Sequence, residues 1–141
     1  MTTGIHKVGL LVLNGKSVLL CEQHDHPSLY ILPGGKIEPG ETELECLARE
    51  LHEELGDVTA SNLVKLGQYH HHTAGDPPRA IRIDLYSGSL QGTPQPHSEI
   101  ARLVWFDDSG DPLLLPPSLR DLIFPDLIAR GILPWPPPPL S

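Results

Sequence analysis

Cysteines, aromatic residues and long apolar runs are scarce in this sequence, and each shortage excludes a class of protein. Two cysteines in 141 residues are too few for a disulfide framework or a four-cysteine zinc site. No apolar stretch approaches the ~18 residues that a membrane-spanning helix needs, and the N-terminus lacks the charged start and apolar core of a signal peptide. We therefore expect a cytoplasmic protein without a membrane partner, whose two thiols are reduced and buried.

Basic residues are scarce as well. Ten Lys and Arg side chains against 18 Asp and Glu side chains give a formal net charge of −8. This argues against a binder of bulk nucleic acid, because such proteins carry basic surfaces, but it leaves room for a single nucleotide held through a metal ion. The length suits one domain, which we predict over residues 1–133, followed by a proline-rich, extended tail at 134–141.

The apolar pattern predicts a fold that contains both strands and helices. Strands are predicted at 7–13, 17–22, 29–32, 63–72, 79–90 and 100–107, and helices at 42–55 and 117–130. Asn14-Gly15 is a turn that would join the first two strands in a hairpin. Pro125 should kink or interrupt the second helix, which Ser118 is placed to cap. This order of elements indicates the α/β or α+β class.

The helix predicted at 42–55 carries the clearest local signals. Thr42 and Glu45 have the spacing of a capping box at its start, and Gly56 stands where a C-terminal cap is expected. Apolar residues recur every three or four positions and predict one buried face: Leu44, Leu47, Ala48, Leu51 and Leu55.

Three glutamates of this helix, Glu50, Glu53 and Glu54, project from its other side at positions i, i+3 and i+4. Like charges at these spacings repel one another by about 0.2–0.5 kcal/mol per pair. The cluster is therefore either a solvated acidic face or a site for a hard cation. Mg²⁺ is the obvious candidate, since it binds a few carboxylates together with substrate phosphate oxygens.

The residues around these glutamates favour the cation site. The chain from position 35 to position 56 reads G-x5-E-x7-R-E-L-x-E-E-x-G, which resembles the box of the Nudix hydrolases of the MutT-like type. Asp57 departs from the pattern by filling its last aliphatic place, with Val58 directly after it. The strand before the box has Tyr30-Ile31-Leu32, where relatives often place a tryptophan. The matching residues are Gly35, Glu41, Arg49, Glu50, Leu51, Glu53, Glu54 and Gly56.

The resemblance implies a fold and an activity together. The Nudix fold is a mixed β-sheet in an α/β/α sandwich, with the box as a loop–helix–loop. Family members hydrolyse a nucleoside diphosphate linked to another group, by water attack at phosphorus. They use Mg²⁺, for which Mn²⁺ can substitute, and Glu50, Glu53 and Glu54 are the implied ligands. The small chain favours a nucleoside triphosphate as the small-molecule substrate, and related proteins are often homodimers.

Further catalytic and positioning roles follow from the same resemblance. Arg49 should fix a neighbouring carboxylate, with Glu41 and Glu50 as the candidates. The general base is either Glu53 in the box or Glu99 in a later loop. The remaining motif positions are assigned a structural role: Gly34, Glu41 and Gly56.

Contacts with the substrate phosphates are predicted for Gly35 and Lys36 in the loop before the helix, and for Arg82 on the polar face of its strand. The two basic side chains could instead pair with neighbouring acids. Two other functions stay open: a pyrophosphatase for ADP-ribose or a nucleotide sugar, and an inactive nucleotide-binding sensor on the same fold. The complete set of carboxylates argues against the sensor.

Overall fold

A computed structural model describes residues 4–137, and these residues contain every strand and helix that the sequence predicts, with boundaries shifted by a few positions. The strands are β1 (Ile5–Leu11), β2 (Leu13–Asn14), β3 (Ser17–Gln23), β4 (His26–Ile31), β5 (Gly34–Lys36), β6 (Thr59–His72), β7 (Ala80–Gln91) and β8 (Ile100–Phe106). The helices are α1 (Glu43–Leu55) and α2 (Phe124–Ala129), with a 3-10 turn at Pro112–Leu114 and a π-helical segment at Ser118–Ile123.

The strands form two four-stranded sheets. The first sheet has the order β5-β1-β7-β6; β1 and β7 run parallel, and its other pairs are antiparallel. In the second sheet, β3 pairs antiparallel with β2, β4 and β8. The molecule therefore combines one mixed and one antiparallel sheet.

The hairpin predicted over 7–22 is wrong in its first arm. Strand β1 pairs with β5 and β7, so it belongs to the other sheet, and only Leu13 and Asn14 pair with β3. Gly15 adopts a φ of 63° at the predicted turn and so links β2 to β3. The chain leaves the first sheet at Val12, whose side chain is buried in the core and whose carbonyl accepts the Leu19 N–H at 3.0 Å.

Alternate side chains of the strands face two separate apolar cores. In β3, Leu19 and Cys21 pack into the core that α1 covers, whereas Val18 and Leu20 pack into the core that the C-terminal helices cover. Successive side chains of a strand point to opposite faces, so one strand serves both cores. The layers are therefore helix, sheet and helix, and the predicted α/β/α arrangement is confirmed.

Helix α1 starts as predicted but presents a slightly different face to the core. The capping box is confirmed, since Glu45 N–H donates to Thr42 Oγ1 at 3.1 Å and Thr42 N–H donates to Glu45 Oε1 at 2.9 Å. Leu44 is 48% exposed, and Ala48 is exposed too, so their assignment to the buried face is wrong. The buried positions of the helix are Cys46, Leu47, Leu51, Glu54 and Leu55. The spacing of the leucines does not predict that a glutamate, Glu54, occupies one of the buried positions.

The C-terminal helical region is not interrupted at Pro125, but it changes from π-helical to α-helical just before this residue. The π-helical segment ends at Ile123, and Pro125 then occupies the first turn of α2, where proline needs no hydrogen-bond donor. The capping role predicted for Ser118 is wrong, because this residue is the first of the π-helical segment and its buried side chain makes no cap hydrogen bond. None of the helices within residues 4–137 combines the length and apolarity needed to cross a membrane.

Trp135 ties the start of the tail to the domain. Its Nε1–H donates to the Lys16 carbonyl at 2.6 Å, and its ring packs 6.0 Å from Phe106 and 5.1 Å from Phe124, between centroids. Residues 134–137 have no regular secondary structure, and the rest of the predicted extended tail, 138–141, lies outside the described residues. The two cysteines are free and buried, as predicted.

Candidate metal centre and substrate cavity

The loop before α1 is built around Gly34. This residue opens β5 and pairs with Gly9 of β1, at a φ of 133° that side chains disfavour. A Cβ atom at this position would overlap the Val8 carbonyl oxygen. The free N–H of Gly34 donates to Glu54 Oε1 at 2.9 Å, so the structural role predicted for this glycine includes holding a carboxylate of α1.

Position 35 needs a glycine because a neighbouring side chain leaves no room for a Cβ atom, and not because of its backbone angles. A Cβ atom on Gly35 would overlap the Glu50 carboxylate, which lies directly against the loop. The Gly35 carbonyl in turn accepts a weak hydrogen bond from Cys46 Sγ at 3.6 Å. The loop and α1 therefore approach each other closely, and Glu50 fills the space between them.

Arg49 organises the carboxylates on the outer side of this contact. Its Nε–H donates to Glu41 Oε2 at 2.7 Å and Nη1–H to Glu50 Oε1 at 2.9 Å, while Nη2–H donates to the Lys36 carbonyl at 3.0 Å. Both candidates for its partner are thus bound at once. The hydrogen bonds from Arg49 and from the Glu38 N–H lower the pKa of Glu41 to about 2, so this carboxylate is ionised throughout the neutral range.

Three carboxylates converge beside the loop: those of Glu50, Glu54 and Glu99. One oxygen atom of each lies within 4.8 Å of the others. Glu99 is supplied by the loop before β8, which is fixed by two backbone hydrogen bonds: His97 N–H to the Glu54 carbonyl at 2.9 Å and His24 N–H to the Glu99 carbonyl at 2.8 Å. A residue far from the box in sequence therefore completes the cluster.

The same loop also explains Gly56. The φ of Gly56 is 83°, and its N–H caps α1 by donating to the His52 carbonyl at 3.1 Å. A Cβ atom here would come within 2.7 Å of the His97 ring. The glycine thus lets the Glu99 loop close over the end of the helix, and Asp57 after it is exposed while Val58 packs into the core under α1.

Burial and mutual repulsion of the three carboxylates favour a cation bound between them. Glu54 is 2% exposed, and burial, reinforced by the charges of Glu50 and Glu99, raises its pKa to about 8. Burial also raises the pKa of Glu50, although Arg49 opposes the shift. A cluster of three carboxylates offers the oxygen ligands that Mg²⁺ and Mn²⁺ prefer. The donor set of the structure thus agrees with the implied metal.

Glu53 stands outside this cluster. Its side chain is 49% exposed, and its carboxylate lies 3.4 Å from Nη1 of Arg49. Of the three box glutamates predicted to share a site, the structure brings together Glu50 and Glu54 and adds Glu99 in place of Glu53. The reason is geometric: positions i and i+4 of α1 face the loop, whereas i+3 turns towards solvent.

A cavity of about 650 Å³ opens next to Gly34 and Gly35. Its walls are largely aliphatic, from Ile81 and Ile83 of β7 and Leu119 of the π-helical segment, and no Phe, Tyr or Trp lines it in the described part of the chain. The Tyr30-Ile31-Leu32 segment divides between two sides. Ile31 and Leu32 line the cavity, whereas Tyr30 does not line it and packs into the core that the C-terminal helices cover.

The basic residues that line the cavity are not the two for which phosphate contacts were predicted. Lys36 is exposed at the end of β5, near the cluster. Arg82 is absent from the lining of the cavity; its Nε lies 3.3 Å from Asp84 Oδ2, so it makes the ion pair that was the alternative to substrate contact. Lys7, which sequence reasoning missed, lines the cavity together with Arg79. Alternation along β1 predicts that Lys7 shares a face with Ile5 and Gly9, but the sequence does not reveal that this face borders the cavity.

The sequence profile of the NUDIX domain matches residues 6–109. The chain belongs to the Nudix family. It is therefore an enzyme of the pyrophosphohydrolase type, and the predictions of family and of enzymatic activity are confirmed. Nudix hydrolases generally use divalent metals, which agrees with the carboxylate cluster.

Curated relatives span several activities. A Bacillus subtilis (strain 168) protein named "Putative 8-oxo-dGTP diphosphatase" is 33% identical over 114 residues, which cover 79% of this chain and 72% of that protein. A Vibrio atlanticus protein named NAD-capped RNA hydrolase NudC is 30% identical over 106 residues, or 74% of this chain, but only 38% of its own length is matched. The chain thus spans well under two thirds of some relatives.

Solved structures support the fold. The solution structure of the E. coli ORF135 protein is 28% identical and superimposes with a TM-score of 0.67, over 94% of this chain and 95% of that one. The MutT protein from Methanosarcina mazei Go1 is 22% identical and gives a TM-score of 0.73, over 92% and 96% of the two chains. The predicted Nudix fold is confirmed.

Proposed function

We propose that this enzyme hydrolyses the diphosphate linkage of a nucleoside triphosphate to a nucleoside monophosphate and pyrophosphate, with Mg²⁺ held by Glu50, Glu54 and Glu99. One observation carries the proposal: the three-carboxylate cluster borders a cavity lined by Gly34 and Gly35. The cavity volume, about 650 Å³, is in the usual range for small-molecule sites. A nucleoside in the cavity would direct its phosphates towards the carboxylates.

The acidic cluster cannot bind a polyphosphate directly, because both are anionic. Mg²⁺, when bound, supplies the positive charge that bridges them and stabilises charge developing on the phosphate oxygens. The protein holds the donors in place: the Gly34 N–H fixes Glu54, and Arg49 fixes Glu50. This positioning before substrate arrives is the main contribution of the fold.

Two carboxylates are placed to orient or deprotonate the attacking water. Glu99 belongs to the cluster and is exposed at its outer side. Glu53 lies next to Arg49 and is half exposed, so it can reach solvent above the cluster. Both remain candidates for the general base, and Arg49 acts as a positioning residue that keeps Glu53 and Glu50 close together.

The relatives suggest the first substrates to test. 8-oxo-dGTP is in the name of the Bacillus subtilis relative, and NAD-capped RNA and RNA are in the names of others. The net charge of −8 argues against a long polyanion, since acidic surfaces repel it. A free nucleoside triphosphate is the better match.

Product analysis across a substrate panel tests this function. The panel holds the common nucleoside triphosphates, 8-oxo-dGTP, ADP-ribose, NAD and a triphosphorylated RNA, each with Mg²⁺ and with Mn²⁺. We expect a monophosphate and pyrophosphate from at least one triphosphate, and a reduction of 100-fold or more in Glu54→Gln. Asp57→Asn, an exposed acid just past α1, is the matched control and should keep the wild-type rate.

Other outcomes of the same panel select the alternative functions. Faster cleavage of ADP-ribose would assign the enzyme to nucleotide sugars or related conjugates. Stabilisation of the fold by a nucleotide, without turnover of any compound under either metal, would favour the inactive sensor. Wild-type rates in Glu54→Gln would contradict the assignment of the metal centre.

A further inference from the structure

Lys7 is a cation inside the substrate cavity that the box motif does not include. It lies on β1 between Ile5 and Gly9, and all three line the cavity. In the sheet, Lys7 pairs with Ile83 of β7 on one side and Lys36 of β5 on the other. Directly paired residues share a face of the sheet, so the Lys7 side chain stands between the aliphatic wall and the loop that holds the carboxylates.

The ammonium group of Lys7 has charged neighbours but no bonded partner in the part of the chain that the structure describes. Within residues 4–137 it makes neither a hydrogen bond nor an ion pair within 4.0 Å, although it is half-buried. Burial lowers its pKa, and the neighbouring charge of Lys36 adds to the effect, while Glu54 and Glu50 oppose it. A half-buried cation without a hydrogen-bonding partner is costly, and the cost is recovered when an anion binds.

We propose that Lys7 forms a phosphate subsite, in which its ammonium group binds the phosphate next to the nucleoside. The proposal rests on the proposed function, because it assumes that a nucleotide occupies the cavity. The location supports it: Lys7 lines the cavity with Ile81 and Ile83, and two residues further along β1 lies Gly9, which pairs with Gly34 of the loop before α1. A phosphate that joins a nucleoside in the cavity to a metal-bound diphosphate must pass this point.

Lys7 could instead serve only to reduce repulsion among the acids. Lys7 does interact electrostatically with Glu54 and Glu50, but no ion pair within 4.0 Å holds its ammonium group on either carboxylate within residues 4–137, so the group is available to a phosphate. When a divalent cation neutralises the cluster, the attraction of Lys7 to those carboxylates falls further. The phosphate is then the strongest anion within its reach.

The test separates phosphate binding from the other contacts of the cavity. Calorimetry in the presence of Mg²⁺ compares the four α,β-methylene deoxynucleoside triphosphates, which resist cleavage between these phosphates, with the matching deoxynucleosides. We expect Lys7→Met to weaken the triphosphate analogue that binds wild type best by roughly tenfold or more, as for loss of a charge-assisted hydrogen bond, and to change nucleoside affinity by less than about twofold. Lys7→Arg should keep most of the affinity. Lys16→Met, at a surface lysine paired with Asp108, is the control.

Three results would overturn the proposal: equal losses for analogue and nucleoside, an unchanged affinity for the analogue, or no binding of any analogue to wild type. A variant that binds Mg²⁺ more tightly yet binds the analogue normally would assign Lys7 to charge relief alone. Steady-state kinetics adds a second readout, a rise in KM with kcat within about threefold. If the wild type turns over no nucleotide, the proposed function fails, while the binding comparison still decides the role of Lys7.

Discussion

Glu54 combines burial, charge and position in a single side chain. It is 2% exposed, its pKa is raised to about 8 by burial and by its acidic neighbours, and the Gly34 N–H is its one hydrogen-bond donor within the described chain. An ionised carboxylate in such surroundings is destabilising unless a cation compensates it. A divalent ion at the cluster would therefore stabilise the fold as well as the reaction.

Mg²⁺ should raise the thermal stability of the wild type, because a ligand that binds the folded state alone stabilises it by mass action. Glu54→Gln should lose this rise in Tm, since it removes a member of the cluster. Glu53→Gln should keep the rise, since its side chain points to solvent, even where it slows turnover. Scanning calorimetry with and without Mg²⁺ measures both. A rise that survives in Glu54→Gln but disappears in Glu53→Gln would place the metal on the other side of the helix.

Glu41 makes a contribution to stability that depends on pH. Hydrogen bonds from Arg49 and from the Glu38 N–H lower its folded pKa to about 2, below the ~4.3 of an unfolded glutamate. Between these values the unfolded state binds more protons, so stability rises with pH and is lost as pH falls. We expect Glu41→Gln to flatten the decline in urea midpoint between about pH 5 and pH 3. Parallel declines in variant and wild type would exclude the Arg49 contact as its source.

The loop–helix contact is the smallest element that determines the site. Gly35→Ala would push a methyl group into the Glu50 carboxylate, a form of overpacking that typically costs about 1–3 kcal/mol. We expect a folded protein whose activity falls by tenfold or more, because Glu50 must move away from the cluster. Activity assays combined with urea unfolding separate the two effects.

Gly67→Ala is the control for that substitution. A Cβ atom on Gly67 makes ordinary contacts, the nearest being 3.6 Å from the Tyr69 ring, and the position lies on β6, outside the cavity lining. It should change activity little. An unaffected Gly35→Ala enzyme would show that the loop and helix are further apart than the structure indicates.

Local signals made this element predictable from the sequence. The capping box at Thr42, the glycine loop and the spacing of Arg49 and Glu50 all lie within a short segment, where chain geometry fixes which residues meet. Glu99 and Lys7 lie far away in sequence and reach the site only through sheet pairing and loop closure. Their types could be noted in advance, but their convergence depends on long-range register.

The surroundings of Arg82 and the course of the predicted hairpin also depend on long-range strand register. Alternation along β7 correctly separates Arg82 from Ile81 and Ile83, yet the polar face turns out to contain the buried Asp84, with which Arg82 forms an ion pair. The predicted hairpin failed because Val12 carries the chain from one sheet to the other. The periodicity of a strand predicts which residues share a face, but it does not tell which strand or helix packs against that face.

At the scale of the whole molecule, the acidic charge is concentrated in the catalytic segment. Between Gly35 and Asp57 there are eight acidic and two basic residues, whereas the whole chain has 18 and 10. The rest of the protein is thus nearly balanced. This distribution agrees with an enzyme that attracts divalent cations to one place and repels long polyanions.

The tail contributes to the stability of the molecule as a whole. Trp135 packs on Phe106 and Phe124 and donates to the Lys16 carbonyl, so Trp135→Ala should lower the free energy of unfolding by about 2–3 kcal/mol, somewhat less than a fully buried aromatic. Trp105→Ala, at a tryptophan that is 46% exposed, is the control and should cost less. Both variants should keep wild-type kcat below their Tm, and equal losses in urea unfolding would mean that the tail does not brace the domain.

We propose that Glu50, Glu54 and Glu99 together hold the metal ion that diphosphate hydrolysis requires. The decisive measurement is the rate of pyrophosphate release from the best nucleoside triphosphate as Mg²⁺ is titrated, in wild type and in Glu54→Gln. We expect a saturable dependence of the rate on Mg²⁺ in the wild type and a rate at least 100-fold lower in Glu54→Gln, with normal saturation in Asp57→Asn. A wild-type rate independent of Mg²⁺ and Mn²⁺, or an unchanged curve in Glu54→Gln, would contradict it.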